Sequence, residues 1–411
     1  MMLHPLRAML FLLAFVLVGS AQVLADSGQE PIDFHDTFNP TAFIQELGAV
    51  YEGEIEGRGK VVVQLGLSPK KAGQFSGRYF LAHDGRDIPL EGPWEALAEP
   101  EALQGEKGSP SHGGFDRPRA IWNIREQSGG NLTGEWADRH TGESHPFRLR
   151  EVYLKGVIRS LGFEVNDADK LPDPYRLLQI RAVARPVGEE VVKGQTAYRM
   201  WEDPRTGMRY PRLTRHPDPK VMARINFLLE EKHGRFAPEM LWAQGGECED
   251  AFAKGEGQVT YLSGALMSMV ETGAFAFCAG EFYPYSHPVT FDLLRGEYLD
   301  WNRLADFFVP GRDENGKIRP QPSPAFRQWY ARQEQELRES APDRQDGLLA
   351  AAFWDVYLDE SDTDRTLVLM SPYRCCTLQH TDSLPLSRLT PLLKPEGRRY
   401  FLPAGAAPTE P

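Results

Sequence analysis

Between Tyr51 and Leu149 the chain alternates short apolar runs with glycine and aspartate, the texture of strands joined by tight turns. The runs cover residues 60–65, 77–81 and 87–92, then 120–124, 134–136 and 147–149, with a Gly/Ser/Pro/His-rich loop over 105–118 between the two blocks. Asp84-Gly85 is the dipeptide a two-residue hairpin favours, because glycine accepts positive φ without steric cost. A loose Gly-x-aromatic unit recurs as Gly77-Arg78-Tyr79 and Gly134-Glu135-Trp136. An aromatic beside a glycine on a strand reads as core packing, with a carbohydrate-stacking surface as the functional alternative. The runs together predict a small antiparallel β-domain over residues 48–152.

Beyond residue 152 the strand and helix periods mix. Residues 175–183 fit a strand and its flanks. Asp218-Pro219 opens a helix on which Val221, Ile225, Leu228 and Leu229 recur at helical spacing, and His233-Gly234 is expected to end it. Alternation through Leu262, Ala265, Met267, Met269 and Ala274 favours two strands over a buried helix for residues 259–277. Residues 323–338 read as an amphipathic helix with Phe326, Tyr330 and Leu337 toward the core, and 347–357 with 366–370 as a closing pair of strands. The expected fold class is α+β: an N-terminal antiparallel β-domain followed by a mixed α+β C-terminal domain over 155–411.

The N-terminus changes the picture by giving it an address. Arg7 closes a weakly basic start, residues 8–18 are unbroken apolar, and Val23-Leu24-Ala25 suits a signal peptidase. The run is shorter than the roughly 20 residues that span a bilayer. Residues 1–25 therefore read as a signal peptide cleaved before Asp26, and 26–47 as a leader. The expected location is the periplasm or the exterior, with no stable membrane insertion after cleavage. A formal net charge of -12 argues against nucleic acid as a partner, since phosphate binding needs clustered Lys and Arg.

In an exported chain the four cysteines, Cys248, Cys278, Cys375 and Cys376, read as two disulfides. Adjacent cysteines seldom bond to each other, so Cys375 and Cys376 are expected to pair with Cys248 and Cys278 in either order. The competing arrangement is a Cys248–Cys278 bridge beside a vicinal pair or free thiols. The chain lacks the CxxC spacing of zinc sites and a Gly-x-Ser-x-Gly elbow. His140, Glu143 and His145 read as a solvated turn, and Asp359, Glu360, Asp362 and Asp364 as an exposed hairpin tip without the glycine and terminal glutamate of a calcium loop. No metal and no cofactor are expected. Glu271, Glu281 and Asp292 lie in apolar surroundings and are the carboxylates a hydrolase reading would use.

One segment looks familiar. Cys278-Ala279-Gly280 is followed by Tyr283-Pro284-Tyr285-Ser286-His287-Pro288, then by Asp292-Leu293-Leu294-Arg295-Gly296-Glu297-Tyr298-Leu299, then by Asp300-Trp301-Asn302-Arg303-Leu304. This order resembles the extracytoplasmic domain of the RsiV family of lysozyme-sensing anti-sigma factors. There a strand leads to a Gly-Ala-His-Pro-like turn, then to an Asp-Leu-x-x-Gly-x-x-Leu segment and a short helix. Gly347-Leu348-Leu349 and the closing segment 384–393 fit the same order, while an insertion over 281–286 departs from it.

The resemblance covers about 160–400 of this numbering. It implies an α+β domain that binds a protein or sits beside an enzyme domain. The expectation is a soluble, non-enzymatic binding protein of the cell envelope whose ligand is a protein, lysozyme-type included, or an envelope glycan. Its surface is placed at an exposed turn carrying Tyr283, Tyr285 and His287, with Trp301 beside it. The alternative is a cell-envelope hydrolase acting on peptidoglycan or glycan through paired carboxylates.

Overall fold

A computed structural model describes residues 48–68, 71–99, 118–163, 173–244, 252–276, 282–312, 318–340, 355–360, 365–370 and 381–401. Eight strands come first: β1 (Ala49–Ile55), β2 (Gly59–Leu67), β3 (Phe75–Leu81), β4 (Ile88–Gly92), β5 (Ala96–Glu99), β6 (Ala120–Ser128), β7 (Asn131–Asp138) and β8 (Ser144–Glu151). Each pairs antiparallel with the next and β8 pairs back onto β1, so the sheet closes into a barrel with no open edge. Its interior is filled by alternate residues of each strand, among them Tyr51, Ile55, Val63, Tyr79, Leu97, Trp122, Trp136 and Phe147.

The Gly-x-aromatic unit has a steric explanation. Gly53, Gly77 and Gly134 stand two positions from Tyr51, Tyr79 and Trp136 and so belong to the same interior-facing rows. A Cβ at any of the three would collide with a backbone carbonyl of the adjacent strand, that of Arg148, Gln64 or Asn123 respectively. Glycine lets the strands bend tightly enough to close, and the aromatic two residues away fills the space that closure leaves. Tyr79 and Trp136 are buried core residues, as core packing requires. The hairpin at Asp84-Gly85 is wider than a two-residue turn: the connection runs from 82 to 87, with Gly85 at φ +66°.

After α1 (Leu154–Ser160) comes α2 (Pro174–Val183), where a strand was expected. The deciding signal is local. The Asp173 side chain accepts from the Tyr175 N–H at 2.9 Å, and Pro174 occupies the first helical turn. Buried residues all round the helix hid its period: Tyr175 packs on Phe80 of the barrel, while Leu177 meets Phe227 on the other side.

The largest sheet follows, from β9 (Arg185–Lys193), β10 (Thr196–Asp203), β11 (Met208–Arg215), α3 (Pro219–Gln244), β12 (Phe252–Leu262), β13 (Leu266–Ala276), β14 (Phe282–Asp292) and β15 (Glu297–Tyr298). Its strand order is β15-β14-β13-β12-β11-β10-β9, antiparallel except where β11 and β12 run parallel across α3. α3 begins at Asp218-Pro219 as expected but passes through His233-Gly234 to Gln244. Gly234 does not cap it. A Cβ there would lie 3.1 Å from the Arg176 carbonyl, so the glycine permits a close crossing of α2 and α3.

The described residues 259–276 form two strands, as the alternation indicates: β12 and β13 make a long hairpin. α4 (Trp301–Leu304) precedes a two-stranded ribbon of β16 (Phe308–Arg312) and β17 (Ile318–Pro322), then α5 (Pro324–Ser340). A three-stranded sheet of β18 (Asp355–Glu360), β19 (Arg365–Met370) and β20 (Thr381–Pro385), a 3-10 turn (Leu386–Leu392) and α6 (Pro395–Phe401) complete the chain. The large sheet is thus covered on both faces. α3 packs Ile225 and Leu229 on Met267, Met269 and Phe291, while Leu266 joins Phe326, Tyr330, Leu358 and Leu367 on the opposite side. The architecture is α+β, with an N-terminal antiparallel barrel. Among the described residues no helix is long and apolar enough to cross a membrane.

The glycine argument carries a direct test. Gly134→Ala is expected to cost about 1–3 kcal/mol or more by forcing two strands apart, whereas Gly264→Ala, which faces open space, stays within about 0.5 kcal/mol. Urea denaturation of the two variants checks both values.

Candidate binding site

The expected ligand turn is a strand. Tyr283, Tyr285 and His287 occupy alternate positions of β14, opposite Phe275, Gly273 and Glu271 of β13. Pro284 and Pro288 are tolerated because, among the described residues, no strand bonds to the outer side of β14 until β15 meets Phe291 and Asp292. Trp301 opens α4 and packs edge-on against Phe307, with ring centroids 5.5 Å apart, partly buried against the core on the side away from α3. The side chains of Tyr283 and Tyr285 lie outside the described residues.

Two of the candidate carboxylates separate. Glu271 belongs to the row of Met267 and Met269 and faces α3, where Lys232 reaches both its oxygens at 3.0 and 3.1 Å and the Tyr210 hydroxyl donates to it. Burial pushes the Glu271 carboxyl up, but Lys232 and the two hydrogen bonds outweigh burial and hold it below the usual carboxylate range. Asp292 pairs with Leu266 and faces the other layer, accepting from Tyr400 at 2.8 Å, from Arg303, and from the N–H groups of Leu294 and Arg295. On opposite faces of one sheet, these two acids cannot flank a single glycosidic bond. Glu281 lies outside the described residues.

Beside Glu271 the polar interior continues. His233 stacks on Tyr210 with centroids 5.0 Å apart, its Nδ1 3.1 Å from an Arg212 nitrogen and its Nε2 3.2 Å from the Met208 carbonyl. Burial and the adjacent Arg212 charge hold the imidazole well below its ordinary range. A neutral ring, accepting at Nδ1 and donating at Nε2, satisfies both partners. The group ties α3 to the sheet.

His140 sits in the β7–β8 turn, where Asp138 accepts from the backbone N–H groups of His140 and Thr141 at 2.8 and 3.0 Å. Among the described residues no three His, Cys, Asp or Glu side chains are grouped to hold a metal. Asp359 and Glu360 end β18 and pair with Thr366 and Arg365 at the connecting end of the β18–β19 hairpin. Asp362, Asp364 and all four cysteines lie outside the described residues.

A concavity that the residues alone did not single out lies at one end of the barrel. In a meander every second connection falls at the same end, which gathers the β1–β2 turn, the 82–87 loop, the start of β6 and the β7–β8 turn. Between them opens a cavity of about 400 Å3 lined by Arg58, Tyr79, Leu81, His83, Asp84, Arg86, Ile88 and Arg119. Below it, Glu99 is 1 % exposed, and one of its oxygens accepts from Tyr79 at 2.7 Å, Trp122 at 3.1 Å and Trp136 at 2.5 Å. Burial and the Glu99 carboxylate push the Tyr79 phenol far above its ordinary value, so it remains a protonated donor. The Arg58 guanidinium lies 3.7 Å over the Trp136 ring.

The rim is fixed from outside the barrel. Gly85 O accepts from Gln179 at 2.7 Å and Arg205 at 2.8 Å, and Asp87 accepts from Tyr175, Arg176 and Gln179 at 3.0, 2.7 and 2.7 Å. Burial pushes the Asp87 carboxyl up, but Arg176 and Arg78 outweigh it, and the group stays below the usual range. A sequence signal for the rim existed. Gly57-Arg58 and Gly85-Arg86 place an arginine directly after a turn glycine.

No family model matches the chain, and no curated protein matches it. Among solved structures, a DUF3298 family protein from Pseudomonas aeruginosa is similar over 52 % of this chain and 94 % of its own, at 11 % identity and a TM-score of 0.27. A likeness that distant bears on neither fold nor function.

Two expectations follow. Glu99→Ala leaves three buried donors without an acceptor, each worth about 1–3 kcal/mol, whereas Glu99→Gln keeps a carbonyl oxygen in place; urea denaturation is expected to show the alanine variant at least about 3 kcal/mol less stable than wild type and the glutamine variant in between. His233 is neutral when folded, while an unfolded histidine protonates near pH 6.5. Its contribution is therefore complete above that pH and lost below it, at up to about 1.4 kcal/mol per pH unit. Unfolding free energies at several pH values between neutral and mildly acid are expected to fall less steeply for His233→Gln than for wild type.

Proposed function

We propose that the protein is an exported, non-enzymatic binding protein of the cell envelope, that the barrel over 48–152 carries the ligand seat, and that the α+β part over 155–411 supports it. The ligand is an envelope glycan or protein. The single observation that supports this reading is the cavity at the barrel end. About 400 Å3 lies within the range of roughly 300–1,000 Å3 in which small-molecule sites fall. Its wall includes Tyr79, whose hydroxyl hydrogen is already given to Glu99. Such a wall offers contact surface and fixed charge rather than a proton to transfer.

Export is inferred from the apolar run over 8–18 and the peptidase-like site at Val23-Leu24-Ala25. The hydrolase reading is not favoured by Glu271 and Asp292, which face opposite layers, each held by a cation and further donors. A protein ligand would have to suit an acidic surface, and the net charge of -12 favours a basic partner of lysozyme type.

The full-length exported chain, titrated calorimetrically with solubilised peptidoglycan fragments and separately with lysozyme, is expected to bind one of them saturably. Hydrogen-exchange mass spectrometry is expected to show protection at residues 56–58 and 82–87, with no new reducing ends after prolonged incubation. Glycan cleavage, or protection confined to 155–411, would overturn the proposal.

A further inference from the structure

The rim of the barrel carries a charge pattern at odds with the rest of the chain. On a protein of net charge -12, the cavity is lined by Arg58, Arg86 and Arg119, and none of the three has an ion-pair partner among the described residues. Elsewhere the arginines near acids are engaged: Arg78 with Asp173, Arg176 with Asp87, Arg205 with Asp203, Arg303 with Asp292. Three guanidinium groups without an ion-pair partner among the described residues repel each other at one opening, an arrangement that an incoming negative charge relieves.

Among the described residues, the acids close by are already engaged. Asp84, the one acid lining the cavity, accepts from the Arg86 backbone N–H at 3.0 Å and lies 4.0 Å from His83. Asp138 is turned into its own loop by the two backbone N–H groups that it accepts, although Arg119 is close enough to act on it electrostatically. Glu99 lies below the floor and is shielded by its three donors.

Resting on the reading of the barrel end as the ligand seat, we infer that the seat takes an oxyanion, a carboxylate or phosphate carried by an acidic envelope glycan, with Arg58, Arg86 and Arg119 as its charge partners. Guanidinium forks match the planar geometry of such groups with paired N–H donors. Arg58, half-buried and stacked on Trp136, presents its charge in a fixed position at the inner wall. Arg86 and Arg119 are exposed and reach in from two different connections. The hydrophobic wall of Leu81 and Ile88 leaves room for the neutral body of a sugar.

The test uses the full-length chain and three probes: N-acetylmuramic acid, its neutral counterpart N-acetylglucosamine, and inorganic phosphate. Calorimetry is expected to show the acidic sugar binding at least about tenfold more tightly than the neutral one, with Arg86→Ala and Arg119→Ala each weakening it about tenfold or more, the range for a charge-assisted hydrogen bond. Both side chains are exposed and without ion pairs among the described residues, so unchanged urea midpoints confirm that the variants fold. The affinity for the acidic sugar is also expected to fall between about 0.01 and 0.15 M salt, as the screening length shortens from about 30 to 8 Å.

Phosphate binding that competes with the acidic sugar supports the oxyanion and widens its source. Phosphate binding without any sugar binding assigns the seat to phosphate groups. Equal affinity for the two sugars, or full affinity in both alanine variants, overturns the oxyanion but leaves the barrel end standing as a seat. Failure of all three probes together with absence of exchange protection at 56–58 and 82–87 for any glycan fragment overturns both.

Discussion

The barrel closes around one carboxylate. Glu99 ends β5, the shortest of the eight strands, and gathers an O–H from β3 and ring N–H groups from β6 and β7 onto a single oxygen. A buried polar group is tolerated only when it is hydrogen-bonded, and here the bonding fixes which way four strands face. Slipping any of them by one residue would turn its interior row outward and leave Glu99 or its donors unmet. The interior glycines serve the same end, since the strands could not approach closely enough with side chains at 53, 77 and 134. Because the rim loops follow directly from those strands, their positions are inherited from this interior register.

A second constraint governs the large sheet. Its two faces meet different partners, α3 on one side and the smaller sheet with α5 on the other. Parity along β13 and β14 then assigns each polar residue to a layer. Glu271 joins Tyr210 and Lys232, and Asp292 joins Arg303 and Tyr400. Residues that look like neighbours in the sequence become strangers in space. The charge networks on each side act as clasps between layers: removing one member of a buried pair typically costs about 3–5 kcal/mol because the other is left uncompensated.

Much of this was legible in the chain. The barrel strands were, because they follow a period of two and are bounded by turn residues; so were the start of α3 at Asp218-Pro219, the hairpin of β12 and β13, and α5. What was hidden had physical causes. α2 is packed on two sides, so its apolar residues show no stripe, and only Asp173-Pro174 betrays it. Gly234 reads as a stop but serves a helix crossing, a distinction made by a partner far away in sequence. The turn expected at 283–287 came from the family resemblance, whereas the chain runs there as a strand whose prolines an outer position tolerates. The rim arginines are scattered over sixty residues of sequence and converge only when alternate connections of a meander are counted to the same end.

The attachment of the 82–87 loop sets how the molecule can be taken apart. The carbonyl of Gly85 and the carboxylate of Asp87 are held by Tyr175, Arg176, Gln179 and Arg205, and the outer wall formed by Val50, Val62 and Phe80 is roofed by α2. A fragment ending at residue 152 would keep every strand of the barrel yet expose an apolar wall to water and release one side of its opening. The smallest autonomous unit that preserves the opening therefore extends at least through the β10–β11 hairpin, across what the strand count alone would take for a natural cut.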